Sequence, residues 1–567
     1  MFLNHLRYIQ PYKKLRLAIS HRLHQTSVMC LKTQENTMKE HPQPKLAQEI
    51  HESVVTQEMF PTAKTVPMVV KKETVVLSFD EVPGPKALKY LSYIRQYVSE
   101  IGTQLTACVI TAGVNIQSFF KYKRQSLSSL FDEYGPVVRF ISPVGADVVL
   151  LNHPEHIEKV YAMEGDYPIR STLDSLEKYR SEHRDHTYGL YTVCGADWTR
   201  QRSTVVAPLQ NAISYHFVGI SGICDYFADK IYSTRNYHDE SSKDLYKELH
   251  KWAFDCMGLI VFSKNFGMLD TELVYSQCDK SWLYHSLDKA TESIIKCESG
   301  LQLWKLFPTP AWTSLVKHCD NLDCLIGKYV MEVEQSIPIK DKGIVNELNK
   351  KSMIHSMLMR EQKMSAEDIA TMLMDMLLIG VNTMTSSMSF LLYNLAKNQK
   401  VQKALYKEIC SVDTFKVGSM ELIEQTPYLQ ACIKETLRLV PPIPLLTRIL
   451  PRNIILDGYN IPSGTLIVMS TLDASHKEGN YEHAQIFMPE RWLASDSKDY
   501  HAFASIPFGF GPRKCLGQNT AETMLSLQTI SILKKYKLEY HYGDIQPTKS
   551  FISRPNKALK LRFVDRV

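Results

Sequence analysis

The chain has 567 residues, 44% of them apolar and 22% charged, which is ample for a large buried core. A formal net charge of +6 is mild over that length, and the cations form no dense block beyond the first few dozen residues, so nucleic-acid binding is not indicated. The twelve cysteines include no Cys-x-x-Cys pair and no His-Glu-x-x-His occurs, which indicates a reducing compartment without a disulfide framework and leaves a zinc hydrolase without apparatus.

Residues 1–34 lack Asp and Glu but carry Arg7, Lys13, Lys14, Arg16, Arg22 and Lys32 interleaved with Leu3, Leu6, Ile9, Leu15, Leu17 and Ile19. That pattern predicts a mitochondrial transit peptide; a disordered basic tail is the plainer explanation of the same composition. No run here reaches the ~20 apolar residues that span a bilayer. Residues 35–80 are mixed and polar and are expected to be a linker, with one large unit from 81 to 567. Trp198 and Arg202 stand four apart, which on a helix is one face. By itself this is a core tryptophan beside a solvated arginine. Residues 171–182 and 210–239 are expected to be variable loops.

Ser365-Ala-Glu-Asp368 has the form of an N-cap with an acidic first turn, followed by an apolar run to about Asn398. A helix of that length and polarity must cross a core. Its middle contains Gly380, Asn382 and Thr383; a helix-interior threonine ordinarily bonds its own backbone. Glu435 and Arg438 are three apart and can pair on a helix that Pro441 and Pro442 then end. Arg491 follows in Pro489-Glu-Arg-Trp492.

The most telling stretch is Pro507-Phe-Gly-Phe-Gly-Pro-Arg-Lys-Cys-Leu-Gly517. Gly509 and Gly511 permit backbone angles and close approaches that a side chain would block, so a flat group can lie against this loop. Arg513, Lys514 and the start of a helix near Gln518 favour an ionised Cys515 sulfur. The plain alternative is a surface loop with a free cysteine.

Phe508, Gly511, Arg513, Cys515 and Gly517 reproduce the Phe-x-x-Gly-x-Arg-x-Cys-x-Gly signature, and the chain thereby resembles the cytochromes P-450. Tyr167-Pro-Ile-Arg170, Tyr179-Arg180, Tyr188-Gly-Leu190 and Leu306-Phe-Pro-Thr-Pro-Ala-Trp312 resemble the mitochondrial branch. The resemblance implies a mainly α fold, a large helical domain with a smaller β-rich region. It implies haem b bound through Cys515, with Trp198, Arg202, Arg448, Phe508, Gly511, Arg513 and Gly517 as cofactor contacts. Glu435, Arg438 and Arg491 would form a buried ionic triad. Gly380 would give dioxygen room where the long helix bulges, and Thr383 would hydrogen-bond the activated oxygen and its waters.

The implied reaction is insertion of one oxygen atom from O2 into a sterol, steroid or secosteroid. Electrons would come from NADPH through a ferredoxin reductase and a ferredoxin docking near Lys434. The implied location is the matrix side of the inner mitochondrial membrane, held peripherally. Three departures stand out. Asn382 replaces the acid that relays protons in the family, Ile379 replaces a small residue, and Gln430, Gln518 and Asn519 replace cations on the docking face. A haem-thiolate isomerase or dehydratase not using external O2, xenobiotic oxidation, and a catalytically idle haem-binding protein are the alternative readings.

Overall fold

The computed structural model describes residues 76–85 and 127–566, apart from 142–146, 172, 185–188, 242–243, 271–278, 299–302, 306, 338–351, 360–363, 413–417, 494–499 and 549. The transit-peptide segment, most of the linker segment and Tyr188 lie outside the described residues. Within residues 76–80, Leu77 donates its N–H to Gly458 O and accepts from Asn460 N.

Helices dominate. The main ones are α1 (Gly195–Thr234), α2 (Leu245–Phe262), α3 (Asp279–Glu298), α4 (Pro310–Ser336), α5 (Ala366–Lys397), α6 (Pro427–Leu439) and α7 (Gln518–Lys535). Each starts where local chemistry starts it. Asp244 accepts from Tyr246 N ahead of α2, Thr309 from Trp312 N ahead of α4, and Ser365 Oγ from Asp368 N at 3.0 Å ahead of α5. Pro310 and Pro427 occupy first-turn positions of α4 and α6, where no N–H is needed.

The expected loop 210–239 is instead helix as far as Thr234. Ile213, Phe217, Ile220, Cys224, Phe227 and Ile231 recur every three or four residues and are all buried, a periodicity that outweighs Pro208 and the glycines. Residues 174–183, within the other expected loop, are likewise helical.

The β region is small. Strands β1 (Val137–Phe140), β2 (Val148–Leu151), β3 (Leu445–Ile449) and β6 (Leu466–Ser470) form one sheet in the order β1-β2-β6-β3. β4 (Ile454–Leu456) and β5 (Tyr459–Ile461) form a hairpin whose Asp457-Gly458 turn has both φ angles positive, the geometry that Asp-Gly favours. β7 (Tyr536–Glu539) pairs with β8 (Arg562–Asp565). One large apolar core lies among the helices and a second beneath the sheet.

α5 is long and apolar enough to cross a membrane, but 78% of its apolar window is buried inside the protein. Its buried surface is shared with α2, α3, α4, α6 and α7. Position along this helix therefore fixes what meets the centre of the molecule.

Candidate active site

In the middle of α5, where nearly every side chain is buried, Met376, Ile379, Gly380 and Thr383 remain partly accessible. Their spacing of three, one and three puts them on one helix face. A stripe of access on an otherwise buried helix means that this face borders an internal space. Asn382 is fully buried and points elsewhere.

Asp375, next to that stripe, ties it to a second element. Its Oδ1 accepts from Arg180 Nη2 at 2.5 Å and its Oδ2 from Tyr191 N at 2.9 Å. A Cβ at Gly189 would stand 2.3 Å from that same Oδ2, so only glycine lets the backbone approach. The anchored Tyr191 ring lies 4.3 Å from the Arg170 guanidinium. The chain thus runs from α5 through Asp375 and Tyr191 to the cations around Cys515.

Cys515 sits three residues before Gln518, the first residue of α7, with its N–H donating to Phe508 O at 2.9 Å. Gly509 and Gly511 both have φ of +70°. At Gly509 a Cβ would meet nothing, whereas at Gly511 it would stand 2.2 Å from Glu164 Oε1. The thiol is open to solvent yet enclosed by protein atoms. Enclosure pushes its pKa up, while the Gly517 N–H, Arg202, Arg170 and Lys514 favour the thiolate. Arg513, expected to act on the sulfur, is directed elsewhere.

Arg513 donates from Nε to Pro168 O and from Nη2 to Val193 O, both at 3.0 Å, and its guanidinium covers the Trp198 ring at 4.0 Å. Arg202 approaches the same ring at 5.6 Å. The third nitrogen of Arg513, Nη1, is buried with no hydrogen-bond partner, and so is Arg170 Nε. Burial first, and then Arg170, drive the Arg513 pKa down to about 9, the signature of a cation lacking anions. Arg448 differs from the other cations. Its Nε donates to Glu164 Oε2 at 2.5 Å, both side chains being 5% exposed, so it already holds a carboxylate.

Among the described residues, Arg170, Arg202 and Arg513 have no carboxylate partner. Buried charge unmatched in this way calls for anions from outside the chain. A flat group with carboxylates at one edge and a metal that takes a thiolate meets both needs, so these residues fit haem. Arg170 and Glu164 were not singled out from sequence; the Tyr167-Pro-Ile-Arg170 motif contained the first, and nothing local marked the second.

Behind the cysteine loop, Glu435 accepts five hydrogen bonds. They come from Arg438 Nε and Nη2 at 2.9 and 2.8 Å, Arg491 Nε at 3.0 Å, Met488 N at 3.1 Å and Trp492 Nε1 at 2.9 Å. Arg438 Nη1 goes to Ser475 O and Ala484 O. This full set of partners makes a fully buried charge cluster tolerable.

Two expectations about α5 change. The helix runs without a bulge through Thr383, whose Oγ1 donates to Ile379 O at 2.9 Å and approaches Gly380 O at 3.2 Å. A Cβ at Gly380 would come within 3.1 Å of Met257 Cε, so the space at Gly380 is taken up by α2 packing. Asn382 donates to Thr291 Oγ1 at 3.0 Å and Leu378 O at 2.9 Å, and its Oδ1 accepts from Arg554 Nη2 at 2.8 Å. Its hydrogen-bonding capacity is spent on Thr291, Leu378 and Arg554.

Lys434 and Lys514 are exposed. Gln430 is turned inward to Thr426 and Ser526, and Gln518 to Glu522.

A thiol backed by a helix start and enclosed by anion-poor arginines defines a haem-thiolate type of site. The family profile of Cytochrome P450 matches residues 109–563. The chain belongs to the cytochrome P450 family, whose members are haem-thiolate monooxygenases. It is 26% identical over 500 residues to the probable cytochrome P450 301a1, mitochondrial, of Drosophila melanogaster, covering 86% of this chain and 87% of that one. It is 29% identical over 463 residues to the mitochondrial 1,25-dihydroxyvitamin D(3) 24-hydroxylase of Mus musculus, covering 79% and 85%. Among solved structures, retinoic acid bound cyanobacterial CYP120A1 matches with a TM-score of 0.65 at 17% identity, covering 80% of this chain and 96% of that one, a likeness of fold. Several relatives, the Drosophila melanogaster and Mus musculus proteins among them, carry names that place them in mitochondria.

Proposed function

We propose that this protein inserts one oxygen atom into a C–H bond of a lipophilic substrate in the mitochondrial matrix, with Cys515 as the haem ligand. The observation that carries this reading is the exposed Cys515 sulfur, with Arg202 and Arg170 acting on it, in a site whose three arginines have no carboxylate partner among the described residues. Haem held through Cys515 would supply the oxygen activation, with the electrons drawn from NADPH and the second oxygen atom leaving as water.

The chain's own residues bind, orient and exclude water. Arg170, Arg202 and Arg513 receive the carboxylate edge of the cofactor, bidentate donation suiting a planar anion. Trp198 holds Arg513 in place by cation–π contact. Gly509 leaves its backbone uncovered, so a flat cofactor would lie against it, whereas Gly511 makes room for the Glu164 carboxylate. Glu435, Arg438 and Arg491 hold the cysteine loop's support rigid. The Met376, Ile379 and Thr383 stripe faces substrate, and the Thr383 hydroxyl is the proton-bearing group on that face.

The substrate class is a sterol, steroid or secosteroid. The support is the family relationship to a mitochondrial vitamin D hydroxylase, and the apolar lining of the α5 stripe. Electrons arrive from a ferredoxin that docks on the face carrying Lys434 and Lys514. With Gln430 and Gln518 bonded inward, that face offers fewer cations than the branch pattern and the docking is weaker. The protein lies peripherally on the inner membrane.

The test is the reduced carbon monoxide spectrum of the purified protein, followed by titration with sterols. A thiolate-type spectrum that Cys515→Ser removes, with a sterol-induced spin-state shift, supports the reading. Haem binding unaffected by Cys515→Ser overturns the ligand assignment, and a thiolate spectrum with no sterol shift overturns the substrate class.

A further inference from the structure

The network around Asn382 holds a second unmatched cation. Arg554 comes from the C-terminal turn Thr548–Asn556, which is pinned rather than loose. Ser553 donates to Pro442 O at 2.8 Å and, through Oγ, to Pro441 O at 3.0 Å; Arg554 N donates to Thr548 Oγ1 at 3.0 Å. The same segment reaches the cations around Cys515, because Phe551 meets the Tyr191 ring at 6.2 Å between centroids and Tyr191 covers Arg170. Arg554 is therefore held beside the middle of α5, one residue from Thr383.

Arg554 donates one hydrogen bond, from Nη2 to the Asn382 carbonyl at 2.8 Å. Its Nε is buried with no hydrogen-bond partner, and the buried hydroxyl of Tyr246, whose ring lies 5.9 Å from the guanidinium, has Arg554 as its polar neighbour. Among the described residues no carboxylate pairs with it. Asp244 is engaged with Tyr246 N and Leu559 N, and Asp288 faces solvent. An acid at position 382 would neutralise this arginine from within the chain. Asparagine keeps it hydrogen-bonded and leaves its charge without a carboxylate, with its own buried Nε–H and the Tyr246 hydroxyl beside it. A buried, unsatisfied N–H on a cation next to a hydroxyl makes a receptor for an oxyanion.

We propose that Arg554, with Tyr246, receives an anionic end of the substrate, so that the enzyme prefers lipophilic carboxylates or sulfates over their neutral counterparts. This rests on the monooxygenase reading above and narrows its substrate class. Asn382 is then a positioning residue, which orients Arg554 and joins α5 to α3 through Thr291.

The test is optical titration of the haem-loaded full chain with two matched pairs, cholesterol sulfate against cholesterol and hexadecanoate against its methyl ester. We expect at least one anion to bind about tenfold tighter than its neutral partner, the sulfate and carboxylate arms telling which group is received. Arg554→Met abolishes that preference while leaving neutral-ligand affinity within about threefold. Asn382→Asp, which supplies an internal counterion, abolishes it too. Arg554→Lys keeps the charge and retains part of it, which decides the matter if Arg554→Met fails to hold haem. Equal or tighter binding of the neutral partners by the unaltered protein overturns the proposal, as does a preference that survives both Arg554→Met and Asn382→Asp. A normal thiolate spectrum with neutral sterols bound and no anion preference removes this inference alone; absence of the thiolate spectrum removes the monooxygenase reading with it.

Discussion

Glu164 Oε2 and Arg448 Nε are 2.5 Å apart, 5% exposed on each side, and joined across 284 residues of sequence. Arg448 enters on β3 and Glu164 follows the helix Pro154–Ala162, so the pair staples the sheet to the loop that leads to Arg170. Burial raises the Glu164 pKa, while Arg448 and then Arg513 oppose it. Arg448→Met strands the carboxylate and should cost about 3–5 kcal/mol of unfolding free energy. Glu164→Gln keeps a hydrogen-bond acceptor and should cost less. Denaturant unfolding of the two variants checks the order.

Because Arg448 already holds a carboxylate and Arg513 does not, the two should differ in what they do for the cofactor. Arg513→Leu should speed haem loss about tenfold or more, the loss of a charge-assisted hydrogen bond, whereas Glu164→Gln should change it little. Haem transfer to an acceptor protein measures both rates. Equal rates would remove Arg513 from the carboxylate side of the site.

Glu435 is the most heavily bonded side chain in the site, and its removal would leave the Arg438 and Arg491 guanidinium groups buried together. Glu435→Ala should therefore cost about 3–5 kcal/mol and yield protein with little bound haem. Glu435→Gln should be milder but still damaging, since an amide cannot accept all five bonds. Expression yield, haem content and urea midpoints separate the two variants.

The parts of this site that lie close together in the chain were legible. The cysteine turn, the start of α7 and the Glu435 to Arg438 spacing are local, and periodicity with a capping serine located α5. What escaped was long-range pairing: Arg448 with Glu164, Asp375 with Arg180, and Asn382 with Arg554 are separated by 284, 195 and 172 residues. No local pattern carries such information, because each pair is made by the packing of elements whose contacts follow from the whole topology. The Asn382 substitution was visible as an oddity, yet its meaning depended on an arginine that no motif contains.

His250, buried on α2 with Nδ1 3.1 Å from the Tyr284 hydroxyl, is held neutral by burial, which lowers its pKa to about 4; Asp288 opposes the shift and Arg554 adds to it. A depressed pKa means that the folded state binds its proton less readily than the unfolded chain. The associated stability is present above about pH 6.5 and is lost as pH falls toward 4, by roughly 3 kcal/mol. Asp255, raised to about 6 chiefly by burial, acts oppositely, its contribution fading as pH rises from about 4 to 6. His250→Phe should therefore flatten the acid-side loss of stability and expose the opposite slope of Asp255. Thermal melts of both proteins between pH 4 and 7 give the comparison.

Thr383 poses the sharpest question about chemistry, since its hydroxyl is on the accessible face while its proton is committed to the Ile379 carbonyl. If it serves only the helix, Thr383→Ala should leave product formation unchanged, for an intrahelical threonine bond adds little. If it breaks that bond to hold a water at the reacting atoms, Thr383→Ala should lower product per NADPH consumed by about tenfold or more, with NADPH consumption continuing and hydrogen peroxide taking up the difference. We expect the second outcome. Thr383 is accessible where its buried neighbour Asn382 is saturated, so no adjacent side chain on this face can take its place. Thr383→Ser should then restore most of the coupling, which a purely steric role for the methyl group would not.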